Sequence, residues 1–266
     1  MLKHLLRKQL LGEIPMKKIN KEVFLNKAIE ISSDKGGVGK STMSINLFEA
    51  IRRSTDLETG LFVDTDPQKT STDVYDVRTS LGDDYKTPEY LSRDTAIHSH
   101  IKNVIHRHSY VLFDTQGADS RASREIMKFA DVLIVPVNPS GFVVKKLTKM
   151  LKNIAEAKIS NENLQVFIVF NMVDKRNKKQ LRKYKADVQE ILNNLLGLYG
   201  FTSDEAKIHI CESFISYKQS LYNEMETGRN IFEIAEGVNS DPLTEYEALL
   251  EEIADKMNNN IQEVAA

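Results

Sequence analysis

The segment SSDKGGVGKST, residues 32–42, has the residue types and spacing of a phosphate-binding loop. Its second half fits the pattern G-x-x-x-x-G-K-[ST], with G-K-S at residues 39–41. Where that pattern has its first glycine the chain has Asp34, and an additional lysine, Lys35, follows. Backbone N–H groups of such a loop bind phosphate oxygens, and the positive end of the following helix adds to the attraction. The sequence therefore predicts a nucleotide phosphate site.

Each residue of this loop has an expected contact. Lys40 is expected to reach the β- and γ-phosphates, and the Ser41 hydroxyl is expected to bind Mg²⁺. Thr42 could donate a hydrogen bond to a phosphate. The predicted nucleotide-binding residues of the loop are Gly36, Gly37, Val38, Gly39, Lys40, Ser41 and Thr42.

Aspartates end two further apolar runs. Asp114 stands where a carboxylate usually orients Mg²⁺, often through water. Asp64 and Asp66 are two positions apart, so in an extended chain their side chains point the same way. We expect Asp64 to help hold the magnesium ion and Asp66 to position the attacking water. A helix cap or a turn is the alternative for this pair.

The elements that must position these residues follow from hydrophobic patterns. Apolar runs of strand length alternate with amphipathic helical patterns, which predicts an α/β fold with a mostly parallel twisted sheet and helices on both faces. The predicted strands are 27–33, 61–66, 110–117, 130–139, 164–171 and 207–210. The predicted helices are 40–51, 119–129, 142–158 and 177–197. Residues 69–108 show the least regular pattern.

The polar residues follow the carboxyl ends of the predicted strands, which is where parallel sheets bind ligands. Four strand ends are expected to converge on one site, and Gln116 lies where a γ-phosphate-sensing segment would start. We expect a basic amphipathic leader at residues 1–26 and one P-loop domain at 27–266.

Composition excludes several classes of protein. The chain has 266 residues, a net charge of −2 and 41% hydrophobic residues, as expected of a globular protein. Its single cysteine, Cys211, excludes a disulfide framework and the paired ligands of an iron–sulfur reductase. A reducing cytoplasm is the expected compartment. The sequence lacks the run of about 18 apolar residues that a membrane span needs.

Three features together resemble the ParA/MinD family of deviant Walker ATPases. They are the K-G-G-x-G-K-[ST] run at residues 35–41, the D-x-D-P-Q run at 64–68, and the strand ending in Asp114. The chain is most similar to small ParA proteins. The resemblance implies ATP hydrolysis with Mg²⁺ in a dimer closed around two nucleotides, in which Lys35 crosses to the partner's phosphates. It implies a catalytic set of Lys35, Lys40 and Asp66.

The run NMVD at residues 171–174 follows the fifth predicted strand. GTPases have N-K-x-D at this location, but here Met172 replaces the lysine. The resemblance implies ATP, with Asn171 near the adenine. Asp174 could instead cap the next helix.

A basic helix is predicted at 177–197, with an apolar stripe that turns its cations outward. Clustered cations favour phosphate contacts that do not depend on sequence. A solvated helix face is the alternative. The predicted DNA-binding residues are Lys175, Arg176, Lys178, Lys179, Arg182 and Lys183.

These expectations combine into one function. The resemblance implies a DNA partition ATPase with weak intrinsic activity that forms a homodimer with ATP, binds double-stranded DNA on the nucleoid, and responds to a centromere-binding, ParB-like adaptor. The alternatives are a MinD-like ATPase that positions cargo on a membrane or protein complex, and a metabolic P-loop synthetase.

The two ends of the chain are amphipathic. The leader, with leucines among basic residues, could contact a membrane, a partner or the domain, or Met16 could be the true start. Membrane binding is not the expectation. The apolar stripe of the C-terminal helix is predicted to pack on the domain, because its acidic residues would be repelled by anionic lipid. That stripe comprises Leu243, Tyr246, Leu250, Ile253 and Met257.

Overall fold

A seven-stranded sheet with every pairing parallel forms the centre of the molecule. The computed structural model describes residues 16–34, 36–82, 87–92, 105–117, 119–140, 143–235 and 241–265. The spatial order of the strands is β3-β2-β4-β1-β5-β6-β7. The strands are β1 (Lys27–Ile31), β2 (Gly60–Asp64), β3 (Glu89–Ser92), β4 (Tyr110–Asp114), β5 (Val132–Val137), β6 (Gln165–Val173) and β7 (Ile208–Ser216).

Helices cover both faces of the sheet, as the strand pattern predicts. They are α1 (Lys40–Thr55), α2 (Thr70–Ser80), α3 (Arg121–Met127), α4 (Val143–Ser160), α5 (Lys178–Leu198), α6 (Gln219–Asn223), α7 (Ile231–Ile234) and α8 (Asp241–Ala265). One core joins the sheet to α3, α4 and α5, and the other joins it to α1, α2, α7 and α8. The central strands are buried on both faces, which explains their nearly continuous apolar sequences.

The described parts of the segment 69–108 are more regular than the sequence indicates, because they contain α2 and β3. Helix α2 consists largely of threonine, serine and aspartate, and only four of its residues are buried. Strand β3 lies at the sheet edge with no fully buried residue. Hydrophobic periodicity is faint in both elements for this reason. Strand β7 also extends well beyond the predicted 207–210.

Side chains of α8 cover the backbone of the edge strand β7. The Glu252 carboxylate accepts hydrogen bonds from the N–H groups of Glu212 and Ser213 at 2.7 and 2.8 Å. Glu245 accepts from the N–H group of Ser216 at 2.8 Å. Acidic residues of this helix therefore bind the sheet edge rather than facing only water.

The predicted apolar stripe of the C-terminal helix is buried against the domain, which confirms that expectation. Residues 1–15 of the predicted leader lie outside the described residues. Within the described part of the chain, no helix has the length and hydropathy needed to cross a bilayer.

Candidate nucleotide site

The phosphate loop connects β1 to α1 at the carboxyl edge of the sheet. Gly39 precedes α1 with φ +80°, a conformation that side chains rarely adopt. A Cβ atom at this position would lie 2.6 Å from Nδ2 of Asn171. That amide donates a 2.7 Å hydrogen bond to the carbonyl of Val38. Glycine is thus required where the loop passes closest to the end of β6.

The first turn of α1 presents Lys40, Ser41 and Thr42 at the positive end of the helix dipole. Lys40 is only 8% exposed. Ser41 donates a hydrogen bond to Asp114. Lys35, the lysine that distinguishes this loop, lies outside the described residues, whereas Gly36, which follows it, is exposed.

Asp114 ends β4 and is completely buried. Its Oδ2 accepts a 2.6 Å hydrogen bond from Ser71, and its Oδ1 accepts a 3.2 Å hydrogen bond from Ser44. Burial raises the pKa of Asp114 to about 6, against the opposing effect of its hydroxyl partners. Hydroxyl groups from α1 and α2 therefore fix this carboxyl group beside the phosphate loop.

Asp64 and Asp66 follow the neighbouring strand, β2. Asp64 is buried, its Oδ2 accepts from the N–H and hydroxyl groups of Thr72, and its Oδ1 accepts from the N–H group of Asp66. Burial raises the pKa of Asp64. Asp66 is half-buried and accepts from the N–H group of Gln68 at 2.9 Å. Hydrogen bonds of both carboxylates thus stabilise the turn after β2, and those of Asp64 also reach the first turn of α2. Asp64 is paired with Asp114 in the register of β2 and β4.

This set of oxygen atoms fits Mg²⁺ held partly by phosphate and water. Carboxylates and a serine hydroxyl are hard ligands of the kind Mg²⁺ prefers, and the ion usually takes only one or two carboxylates from a protein. No group of three or more His, Cys, Asp or Glu side chains among the described residues could hold a metal alone. Ser41, Asp114 and Asp64 are consequently suited to a nucleotide-bound Mg²⁺.

The segment after β4 packs directly against the phosphate loop. A Cβ atom on Gly117 would approach the carbonyl of Ser33 to 3.2 Å. Just beyond, Asp119 forms an ion pair with Lys149 of α4. The Asp119 carboxylate raises the pKa of Lys149, and the charge of Asp34 raises it further. Asp34, the acidic residue of the loop, therefore lies near a cation from α4.

A cavity of about 230 Å³ adjoins the phosphate loop between β6 and the segment after β7. It is lined by Gly39, Thr42, Asn171, Met172, Tyr217, Gln219, Tyr222, Asn223 and Glu226. Aromatic and amide side chains beside the loop suit a planar heterocycle with polar edges. Asn171 lies at this cavity, as expected for a residue near the base.

The chain matches the family model of the CobQ/CobB/MinD/ParA nucleotide-binding domain over residues 29–231. It belongs to this family. The match begins within β1 and includes the phosphate loop and the aspartate-ended strands β2 and β4. The fold and the resemblance to ParA and MinD proteins are thereby confirmed.

Solved structures of ParA/MinD-type proteins share this fold. The ParA family ATPase from Chlorobium tepidum TLS is 16% identical, with TM-score 0.60 and coverage of 87% of this chain and 98% of that chain. The MinD cell division protein of Aquifex aeolicus is 15% identical, with TM-score 0.56 and coverage of 85% and 97%. An ATP complex of a Cyanothece McdA variant is 14% identical, with TM-score 0.59 and coverage of 87% and 96%. No curated protein sequence matches the chain.

In this ParA/MinD-family chain, the basic residues at the start of α5 fall into two groups. Lys175 forms ion pairs with Glu245 at 2.6 Å and Asp241 at 3.2 Å, and Arg176 pairs with Asp174 at 2.9 Å. Asp174 also caps the short helix at Lys175–Asn177. The remaining four cations are exposed and have no ion pair with another described residue. We call them the α5 basic surface: Lys178, Lys179, Arg182 and Lys183.

Sequence reasoning missed the side chains that support the acidic residues of this family site. Ser71 and Thr72 begin α2 and bind Asp114 and Asp64, but α2 itself was not predicted. Ser44 lies in a correctly predicted helix, but its hydrogen bond to Asp114 was not predicted. The run of threonine and serine soon after D-x-D-P-Q was the available signal, because these residues are typical of helix starts.

Proposed function

We propose that this chain is an ATP-hydrolysing DNA partition protein that closes into a dimer around two nucleotides. The observation that carries the proposal is a juxtaposition. The α5 basic surface begins just after β6, whose end bears Asn171 beside the phosphate loop. An anion-binding surface and a nucleotide site thus share one edge of the sheet. Closure of a dimer around the nucleotides can therefore position the basic surface for binding DNA.

Hydrolysis proceeds by in-line attack of water on the γ-phosphate. Lys40 and the N–H groups of the loop stabilise the charge that develops on the phosphate oxygens. Asp66 orients the attacking water. Ser41, Asp114 and Asp64 would hold Mg²⁺, which would supply positive charge to neutralise the phosphate oxygens.

The cavity beside the loop supports adenine over guanine. Met172 offers no charge where the GTPase motif has lysine, and it lines the cavity with Asn171 and the aromatic residues. Since the Asn171 amide donates to the loop, its carbonyl oxygen is the atom to accept from an exocyclic amino group. Adenine carries that amino group at position 6, where guanine carries a carbonyl.

Dimerisation rests on Lys35. By the family resemblance, this lysine binds phosphates held by the second subunit. Charge-assisted hydrogen bonds of this kind are stronger than neutral ones. The dimer has two copies of the α5 basic surface and should therefore bind DNA more tightly than a monomer. Because the dimer forms with ATP, DNA affinity depends on the bound nucleotide. A centromere-binding, ParB-like protein then stimulates hydrolysis and releases the nucleoid-bound dimer.

The decisive experiment measures DNA binding and molecular mass with ATP, ADP and no nucleotide. We compare wild type with Lys35→Ala and with Lys21→Ala, which removes an exposed lysine near the start of β1. Wild type and Lys21→Ala should dimerise and bind DNA with ATP, whereas Lys35→Ala should do neither.

This mechanism would be excluded if DNA affinity were the same with ATP, with ADP and without nucleotide. It would also be excluded if Lys35→Ala formed dimers with ATP. Sedimentation with anionic lipid vesicles in the same three nucleotide states tests the MinD-like alternative. ATP-dependent vesicle binding without DNA binding would favour that alternative.

A further inference from the structure

Glu30 is a completely buried carboxylic acid in the central strand β1. It lies level with Phe113 of β4 on one side and Leu133 of β5 on the other. Like Ala28, it points to the sheet face covered by α3 and α4. An ionisable group in such apolar surroundings is costly unless it is neutral or fully hydrogen-bonded.

Hydroxyl groups from two segments contact this carboxyl group, and a hydroxyl from a third segment contacts one of them. Its Oε1 accepts a short hydrogen bond from Ser123 of α3. It also shares the hydroxyl proton of Thr115, immediately after β4 and 3.4 Å away, with the carbonyl of Ile31, which lies 3.0 Å from that hydroxyl. The Ser123 hydroxyl also lies 3.0 Å from that of Ser32, at the start of the phosphate loop. Glu30 therefore connects the segment after β4, through Thr115, to the phosphate loop, through Ser123 and Ser32.

The second oxygen of the same group is unsatisfied. Oε2 of Glu30 is buried and has no hydrogen-bond partner among the described residues. A protonated carboxyl group leaves one buried O–H donor without an acceptor, which costs less than a buried charge, and its Oε1 still accepts from the hydroxyl groups. An ionised one would leave negative charge on an oxygen without a donor, which only entering water or a shifted segment could relieve.

Charged groups on the surrounding elements do not stabilise the ionised form. On α3, Arg121 pairs with Glu125 at the surface and Arg124 lies 3.9 Å from Asp119. On β4, Asp114 binds Ser71 and Ser44 on the opposite face of the sheet. Burial raises the pKa of Glu30 to about 8, despite hydrogen bonds from Ser123 and Thr115 that oppose the shift.

We propose that protonated Glu30 is a positioning residue that holds the segment after β4 against the phosphate loop, and that its ionisation loosens this segment. Residues 115–117 follow Asp114, and Gly117 approaches the carbonyl of Ser33 closely. Loosening them would misplace groups around the γ-phosphate without altering the base cavity. The inference about turnover rests on the proposed ATP hydrolysis, whereas the inference about the segment itself does not.

Stability gives the first test. Because the pKa of Glu30 is raised in the folded state, the folded protein keeps its proton while the unfolded chain, with a glutamate pKa of about 4.3, loses it. The contribution of Glu30 to folding stability is fully present below the unfolded-state pKa and is lost as the pH rises towards about 8. Melting temperatures of nucleotide-free wild type and Glu30→Gln are therefore compared from acid to alkaline pH. The advantage of Glu30→Gln should grow by several degrees and level off above pH 8.

Turnover gives the second test. Glu30→Gln keeps an acceptor for Ser123 and Thr115 but cannot ionise, and Glu30→Met removes the acceptor. Wild-type kcat should fall above pH 8 with KM for ATP unchanged, and Glu30→Gln should retain its kcat. Glu30→Met should lose kcat at every pH, by up to ~10²-fold if the reacting groups are displaced by about 1 Å.

Parallel stability–pH profiles for wild type and Glu30→Gln would overturn the proposal, as would equal kcat–pH profiles. If wild type shows no ATP turnover at all, the proposed hydrolysis fails. The stability profiles then decide the role of Glu30 by themselves. If Glu30→Met does not fold, Ser123→Ala replaces it, because that variant removes the short hydrogen bond and leaves the carboxyl group.

Discussion

The nucleotide site and the α5 basic surface lie at the same edge of the sheet but are built in opposite ways. At the nucleotide site, buried polar groups are fixed by partners: Asp114 binds Ser71 and Ser44, and Asn171 binds the carbonyl of Val38. On the α5 basic surface, the cations are exposed and unpaired within the described residues.

This difference teaches where individual residues matter. In a site of fixed partners, one substitution leaves a buried group unsatisfied, so its effect is large and specific. On an exposed surface of like charges, each cation adds a similar, salt-screened contribution. Single substitutions should therefore be severe at the first region and mild at the second.

The largest expected effect is at Lys40. Lys40→Ala removes the buried cation of the phosphate loop and should reduce kcat by on the order of 10²–10³-fold, in the range found when one transition-state donor is removed. ATP affinity should fall as well. Fluorescent-nucleotide titration and phosphate release measure both quantities. Wild-type turnover in this variant would show that the loop does not act on the γ-phosphate.

Asp66→Asn separates charge from structure within the same site. Asparagine can still accept the hydrogen bond from the N–H group of Gln68, so the turn should survive. Loss of the carboxylate should reduce kcat by roughly 10²-fold while ATP-dependent dimerisation persists. Light scattering and single-turnover hydrolysis distinguish the two effects. Equal kcat for variant and wild type would remove Asp66 from the mechanism.

Neutralising the whole α5 basic surface should weaken DNA binding by roughly 10–100-fold and reduce its salt dependence. The slope of log K against log salt should decrease by about 0.9 for each phosphate that the protein no longer neutralises. ATP turnover without DNA should stay at the wild-type value. Affinity is measured by fluorescence anisotropy at several salt concentrations. An unchanged slope for the variant with all four substitutions, Lys178→Gln, Lys179→Gln, Arg182→Gln and Lys183→Gln, would place the DNA elsewhere.

Gly39→Ala tests the close approach between the phosphate loop and β6. The positive φ should cost about 1–2 kcal/mol of stability, and the added Cβ atom would meet Nδ2 of Asn171 at 2.6 Å. The control is Gly197→Ala in α5, where a Cβ atom meets nothing within 4 Å. That variant should be neutral or stabilised by up to about 1 kcal/mol. Chemical denaturation compares them, and equal stabilities would contradict the close approach.

The smallest effect is expected at Lys175, which sequence reasoning placed among the DNA contacts. Because it pairs with Glu245 and Asp241, Lys175→Ala should leave the salt slope of DNA binding almost unchanged. Its stability should fall by about 0–1 kcal/mol, as for other partly exposed ion pairs. A drop in slope as large as that of Lys178→Gln would mean that DNA breaks these ion pairs.

Much of the nucleotide site could be predicted because its signals are local. The glycines, Lys40 and Ser41 lie within one short motif, and apolar runs place Asp64 and Asp114 at strand ends. Parallel pairing then brings these two carboxylates level in adjacent strands. The roles of the individual side chains remain predictions.

The remainder depends on contacts between distant segments. The sequence predicts helices on both faces of the sheet, but an acidic residue in the strand KAIEI does not by itself indicate a buried position. The hydroxyl groups that contact Glu30 belong to Ser123 and Thr115, in distant segments of the chain. The ion pairs of Lys175 involve the start of α8, more than 60 residues further along the chain. The sequence does not show which lysines form ion pairs and which are free at the surface, so this distinction required the structure.

The carboxylates that cap β7 have a consequence for assembly. An uncovered outer strand offers a template on which another chain can extend the sheet. Here Glu252 already occupies two of the outward N–H groups, those of Glu212 and Ser213. A second copy cannot add a strand at this margin without displacing them. Self-association by extension of the sheet at β7 is thereby disfavoured, so the proposed dimer has to form through another surface.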